Sequence, residues 1–289
     1  MFRIYFQNGD FLGDGIDCLK DIWIPLAITF IGFSIPLLIQ WKWDRRKERK
    51  FDHNQIDYFD KILESILKQA KDQSIKIKEH AEAIKATPFN WKKIHLITGN
   101  DADRLAVNPN HESFKAFISI NGDSDETIKR FKEIYSCIDQ FYYCKQELKS
   151  INLNSRKNNY KSLLLYKEHL ENLTDAISSE IRVIEFSRVG VDGQADLREF
   201  LNSVLLSYHT QIETNPAFPN IHEQIIMPTI RELVGRFRNI FFNEQLLVSL
   251  KKLKLLYFEI IQDSKDASED FLELDGEMNE AIQKLEPLI

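Results

Sequence analysis

Residues 22–41 read IWIPLAITFIGFSIPLLIQW, twenty consecutive positions without a charge. At a rise of about 1.5 Å per residue, a helix of this length spans about 30 Å, the thickness of a bilayer's hydrocarbon core. Eleven of the twenty are Leu, Ile or Phe. Near the centre of a membrane helix each of these favours insertion by roughly 0.3–0.6 kcal/mol, about 3–6 kcal/mol together, from which Thr29, Ser34 and two prolines subtract. Trp23 stands at one end and Trp41 and Trp43 at the other, about 27 Å apart along a helix, which matches the two headgroup layers where amphipathic rings concentrate. The stretch is apolar on every side, unlike the one-sided helices that line a soluble core. It is expected to be a transmembrane helix.

The flanks set the expected orientation. After the apolar stretch comes KWDRRKERK, in which Lys42, Arg45, Arg46, Lys47, Arg49 and Lys50 outnumber Asp44 and Glu48. Before it, residues 1–21 hold only Arg3 and Lys20 as bases. Positive charge collects on the cytoplasmic side, so the remainder of the chain is expected in the cytosol and the N-terminal segment outside, at a bacterial inner membrane. A cleaved signal peptide would carry its charges in the reverse order, and Cys18 precedes the apolar run instead of following it as a lipoprotein site would. Pro25 falls in the first turn, where its missing N–H has no partner in any case. Pro36 lies deeper and frees the carbonyl of Gly32, so a kink is expected there.

The chain beyond this anchor has ordinary globular composition: 289 residues, 43% apolar and 28% charged, with a formal net charge of -6. That balance disfavours bulk nucleic-acid binding, which draws on an excess of Lys and Arg. Gly (10) and Pro (8) are scarce, which favours long helices over a turn-rich β fold. The expected class is all-α. Low glycine with abundant Ile, Lys and Asn also fits an AT-rich bacterial genome. Cys18, Cys137 and Cys144 are too few and too unevenly spaced for a disulfide framework or a zinc site, so Cys137 and Cys144 are expected to be small buried thiols.

Past the basic run, Ile56, Leu63, Ala70, Ile77 and Ile84 recur every seven residues, with Phe59 and Ile66 between them. This predicts a long heptad-patterned helix that packs either within the chain or between subunits, its stripe narrowing at Gln73 and His80. Thr87-Pro88, Gly99, Asn100 and Pro109 mark breaks. The segment ESFKAFISI (112–120) is compatible with a short helix or a strand, ended by Asn121-Gly122-Asp123. Ser124 or Asp125 then caps a helix through Ile128, Phe131, Tyr135, Ile138 and Leu148, a polar loop is expected over Asn152–Asn159, and a helix follows through Leu163, Tyr166, Leu170, Leu173, Ile177, Ile181 and Ile184. Gly190 and Gly193 mark a turn. Leu197, Leu201, Val204, Tyr208 and Ile212 carry the next helix, closed by Pro216 and Pro219. The final third reads as one long element or two abutting ones, through Ile226, Ile230, Leu233, Phe237, Phe241, Leu247, Leu250, Tyr257 and Ile261, with Pro228 tolerable only in a first turn. A closing helix is expected from about Ser268 to Leu285, with Phe271, Leu274, Met278, Ile282 and Leu285 on one face. A basic stretch (Arg231, Arg236, Arg238, Lys251, Lys252, Lys254) precedes an acidic end, and the two are complementary.

The expected organisation is therefore a short extracytoplasmic segment (1–21), a transmembrane helix (22–41), a basic juxtamembrane segment leading into a long amphipathic helix (42–86), an irregular connector (87–124) and an antiparallel helical bundle (125–289).

Chemistry-bearing patterns are sparse. In DRLAVNPNH, six residues separate Arg104 from His111. This spacing resembles the R-x(4-6)-H signature of HEPN ribonucleases, an all-α family whose members often act as dimers. The resemblance implies that the two side chains would work at a scissile phosphate with the 2'-OH as nucleophile. Leu105 stands where that family usually has a polar residue, and Pro109 interrupts the helix on which the motif should lie. No phosphate-binding glycine loop, HExxH or G-x-S-x-G is present. His209 and His222 with Glu213 and Glu223 have no spacing that fixes a metal, and Asn100, Asp101 and Asp103 match only the opening of a Ca2+ loop. No metal and no cofactor is expected. The partners expected are the lipid bilayer and a protein, this chain's own second copy included. The resulting reading is a membrane-anchored interaction, sensing or effector module, with a HEPN-like ribonuclease and an oligomeric pore-forming effector as alternatives.

Overall fold

The computed structural model describes residues 23–97, 99–107, 111–186, 193–240, 242 and 244–289. The expected extracytoplasmic segment 1–21 with Arg3, Cys18 and Lys20, as well as Ile22, Pro109, Gly190 and Phe241, lies outside the described residues. Among the described residues every regular element is helical: α1 (Ile24–Ala86), α2 (Asp101–Val107), α3 (His111–Asn121), α4 (Asp125–Phe186), α5 (Gln194–Thr214), α6 (Phe218–Ile221), a π-helical turn (His222–Ile226), α7 (Met227–Val234) and α8 (Glu244–Leu285).

No glycine or proline occurs from Leu37 to Ala86, so nothing breaks the hydrogen-bond ladder. The apolar segment and the heptad-patterned segment accordingly form one helix of 63 residues with Pro36 inside it. Residues 23–33 and 35–50 of that helix are exposed, and Ser34 is half-buried. Further along, Phe59, Leu63, Ile66, Ala70, Ile77 and Ile84 are buried and Ile56 is half-buried. The heptad stripe is thus covered by this chain's own side chains.

Two compact units share α1 and α4. The first takes residues up to Lys61 together with Asn110–Phe131. The ambiguous segment 112–120 is the helix α3 here, and its Phe114 and Phe117 pack with Phe59 around Phe131, ring centroids 5.0–5.9 Å apart. Gly122, at φ 89°, lets the chain leave α3 in a left-handed conformation that glycine adopts without steric cost. The hydroxyl of Ser124 then accepts the N–H of Thr127 and caps α4.

The second unit takes Ile62–Pro109 and Lys132–Ile289. At one end α1, α4 and α8 pack together: Ser74 bonds to Asp275, His80 meets Phe271 edge-on at 5.0 Å, and Gln140 donates to the carbonyl of Glu277. Cys137 and Cys144 are free thiols buried on α4, and burial pushes Cys144 up to about 12, which keeps it protonated. The other end holds a core drawn from α4, α5, α6, the π turn, α7 and the first half of α8.

Three expectations need correction. No separate helix begins near Ser268, because α8 runs unbroken from Glu244 to Leu285. The polar stretch Asn152–Asn159 is not a loop, because α4 continues through it for 62 residues. Asparagine is a poor helix former, but tertiary contact overrides that small penalty: Asn159 is buried and donates to the carbonyl of Pro88. The segment 87–124 is not irregular throughout, since it holds α2 and α3. Its irregular part is pinned down along its length. Trp91 Nε1 donates to Ser264 at 3.1 Å, Phe89 stacks on Tyr257 at 5.0 Å, and Ile94 is buried. Asp275 of α8 pairs with Lys78 of α1, Glu286 just past α8 pairs with Lys71, and Arg236 of the basic stretch reaches Asp196.

Candidate functional site

Three groups of residues stand out, one in the first unit and two in the second.

In the first unit, the residues just past the apolar segment all lie on α1 and are exposed. Trp23, Trp41 and Trp43 are exposed, and the Arg45 guanidinium lies 4.1 Å from the centroid of the Trp41 ring. Pro25 sits in the first turn of α1 and its carbonyl accepts the Thr29 hydroxyl at 2.7 Å. A Cβ built at Gly32 meets nothing within 4 Å. On the same helix Asp52 is buried and accepts from Ser119 at 2.7 Å, and Glu48 pairs with Lys115 at 3.6 Å.

In the second unit, the strap between α1 and α2 is read by a glutamine. Gln73, the residue that interrupts the heptad stripe, is buried; its Oε1 accepts the N–H of Ile97 at 2.7 Å and its Nε2 donates to the carbonyl of His95 at 3.4 Å. Nearby, Lys145 donates to the carbonyl of Gly99 and pairs with Asp103 at 2.8 Å, while Asp101 accepts from Ser65 at 3.1 Å. The acidic residues that match the start of a Ca2+ loop are thus occupied in holding the strap. The pocket beside them, lined by Gln69, Gln73, Lys145 and Phe141, measures about 50 Å³. Small-molecule sites run to roughly 300–1,000 Å³, so this one accommodates water-sized guests. Gln73→Ala removes both amide bonds, each worth about 1 kcal/mol, from the carbonyl of His95 and the N–H of Ile97. Stability should fall by about 2 kcal/mol, read by denaturant unfolding, with faster amide exchange at Ile97.

The third group is a buried aromatic stack. Tyr166 on α4 and His222 share a hydrogen bond of 3.1 Å at Nδ1, and the imidazole lies flat on Tyr257 of α8 with centroids 3.7 Å apart and planes 1° from parallel. His222 is 1% exposed and its Nε2 has no partner. Burial, helped by Lys254, lowers its pKa from 6.5 to about 4, so the ring is neutral at pH 7. The π turn that carries it follows from Pro228. Proline has no N–H to continue the ladder, and the N–H of Met227 reaches back five residues to the carbonyl of His222. The neighbouring metal candidates do not join it: His209, Glu213 and Glu223 are exposed, and no group of three or more His, Cys, Asp or Glu able to hold a metal occurs among the described residues.

Arg104 is exposed on α2, and His111 is exposed as the first residue of α3. The two sit on separate helices, whereas the HEPN resemblance implies one. The stacking of Tyr166 and Tyr257 on His222 and the clamping of the strap by Gln73 were not evident in the sequence, because the hydrogen-bonded partners lie 22 to 56 residues apart and no local spacing encodes such pairings.

The chain matches no protein-family model, no curated protein and no solved structure.

Proposed function

We propose that this chain is a single-pass membrane protein whose helical domain works at the cytosolic face as an interaction or sensing module. The observation that carries the reading is the first part of α1. It is the one helix among the described residues long and apolar enough to cross a membrane, and none of its apolar window is buried by the rest of the chain. A soluble core helix of that composition would be covered, because leaving it in water forfeits about 25 cal/mol for each Å² of apolar surface. The basic run after it favours a cytosolic domain under the positive-inside bias.

The buried heptad stripe redirects the search for a partner. With Leu63, Ile66, Ala70, Ile77 and Ile84 already covered within the chain, a protein partner or a second copy would engage exposed faces or the membrane helix.

The test is topological. The whole chain should stay with the membrane fraction after alkaline carbonate washing, and protease should degrade the domain in inside-out vesicles while sparing it in right-side-out ones. Recovery in the carbonate supernatant would overturn the anchor, and the reversed protease pattern would overturn the orientation.

A further inference from the structure

Resting on the anchored reading above, we infer that the juxtamembrane turns of α1 form a binding ridge for the headgroups of anionic phospholipids, on a face of the helix that α3, packed along the flanking acidic strip, leaves exposed. Lys42, Arg45, Arg46, Arg49 and Lys50 follow the spacing i, i+3, i+4, i+7 and i+8 on one unbroken helix, which places all five on a single face. All five are exposed. Asp44 lies across the helix from these bases, and Glu48 and Asp52, each three residues past an arginine of the ridge, form the strip along its flank. That side is partly covered: α3 presents Lys115 to Glu48 at 3.6 Å and Ser119 to Asp52 at 2.7 Å.

The sorting of charge has a consequence at a membrane. Without it, six bases and two acids within nine residues would partly cancel at a surface. With Glu48 paired to Lys115 and Asp52 buried against Ser119, the acids beside the ridge have partners on α3, and its five bases remain exposed.

Reach and direction fit phosphate at the headgroup level. From Trp41 to Lys50 the helix rises roughly 13 Å, while the headgroup layer extends about 5–7 Å beyond the hydrocarbon. Side chains on a helix lean toward its N-terminus, which here is the membrane side, so long Lys and Arg side chains from the second and third turns point back to the phosphates. Arg45 over the face of Trp41 stands at the depth where such rings settle. The ligand class is the phosphodiester of an anionic lipid, met by several cations at once, each contributing attraction that falls off within a Debye length.

The experiment uses the whole chain in nanodiscs, where both leaflets are accessible and topology has no influence. Tryptophan quenching is compared between brominated phosphatidylglycerol and brominated phosphatidylcholine at equal low mole fraction in an otherwise zwitterionic disc, with Trp41 and Trp43 as the reporters beside the ridge. The expected result is quenching about threefold steeper for the anionic lipid, reflecting its local enrichment. The preference should vanish when Lys42, Arg45, Arg46, Arg49 and Lys50 are all replaced by Gln, and persist in Arg45→Lys/Arg46→Lys/Arg49→Lys. Equal quenching by the two lipids in the unaltered chain, or a preference that survives the glutamine variant, would overturn the ridge while leaving the anchor standing. Quenching by neither lipid would overturn the anchor and the ridge together. Loss of the preference in millimolar inorganic phosphate, but not in sodium chloride of equal ionic strength, would identify a soluble-anion site and overturn the lipid assignment.

Discussion

Arginine at both Ile31 and Ile35 is expected to move the whole chain from the membrane pellet to the supernatant. Each arginine near the centre of a membrane helix costs about 2.5–3.5 kcal/mol, and each isoleucine removed forfeits roughly a further 0.5 kcal/mol. The pair therefore costs about 6–8 kcal/mol against the roughly 3–6 kcal/mol by which the eleven Leu, Ile and Phe side chains favour insertion. The sign of the balance reverses. Ile31 and Ile35 are 54% and 51% exposed, so the substitutions touch no packed core and the domain should keep its helical circular dichroism. Ile31→Leu/Ile35→Leu should sediment as before. If the arginine pair still pelleted after carbonate washing, the apolar segment would not be what holds the chain to the membrane.

Acid should loosen the domain through His222. In the folded chain its pKa is held at about 4, against 6.5 in the open. Above 6.5 neither state carries the proton; as the pH falls below 6.5 the unfolded chain binds it while the folded one does not. Stability therefore declines across the window from 6.5 to 4, by about 1.4 kcal/mol per pH unit and about 3 kcal/mol in all, and this group adds no further loss below it. His80, also lowered by burial, acts in the same direction. The discriminating variant is Tyr166→Phe/His222→Phe. It replaces both hydrogen-bonding partners with apolar rings of similar shape, a change that tends toward neutrality at pH 7, and it removes the titrating group. Denaturant unfolding at pH 7 and at pH 4 should show the variant losing about 3 kcal/mol less than the unaltered chain. An identical loss in both would mean that the buried imidazole does not control the acid response.

The sequence made the helices legible wherever apolar residues kept a regular period. Phe59 to Ile84 announced a buried stripe, and most stripe residues of α4, α5 and α8 reappear as buried, whereas Ile212 at the end of α5 is 40% exposed. Local composition misled where a polar run stood inside a long helix: Asn152, Asn154, Asn158 and Asn159 favour turns in isolation, yet the carbonyl of Pro88 holds Asn159 in α4. In the same way Gln73 and His80 read as gaps in a coiled-coil seam, whereas one clamps backbone and the other meets Phe271. The Tyr166–His222–Tyr257 stack left no trace in any short window, since three separate elements supply it. Chemistry that depends on chain crossings is invisible to spacing.

One helix carries the apolar segment and the first helix of the domain without a glycine or proline from Leu37 to Ala86. A flexible tether would let a domain swivel freely beneath its anchor. On the proposed reading, in which Ile24 to Gln40 lie in lipid, the same hydrogen-bonded helix runs on to Ala86, so the bilayer meets the domain through continuous helical backbone instead of a loose linker.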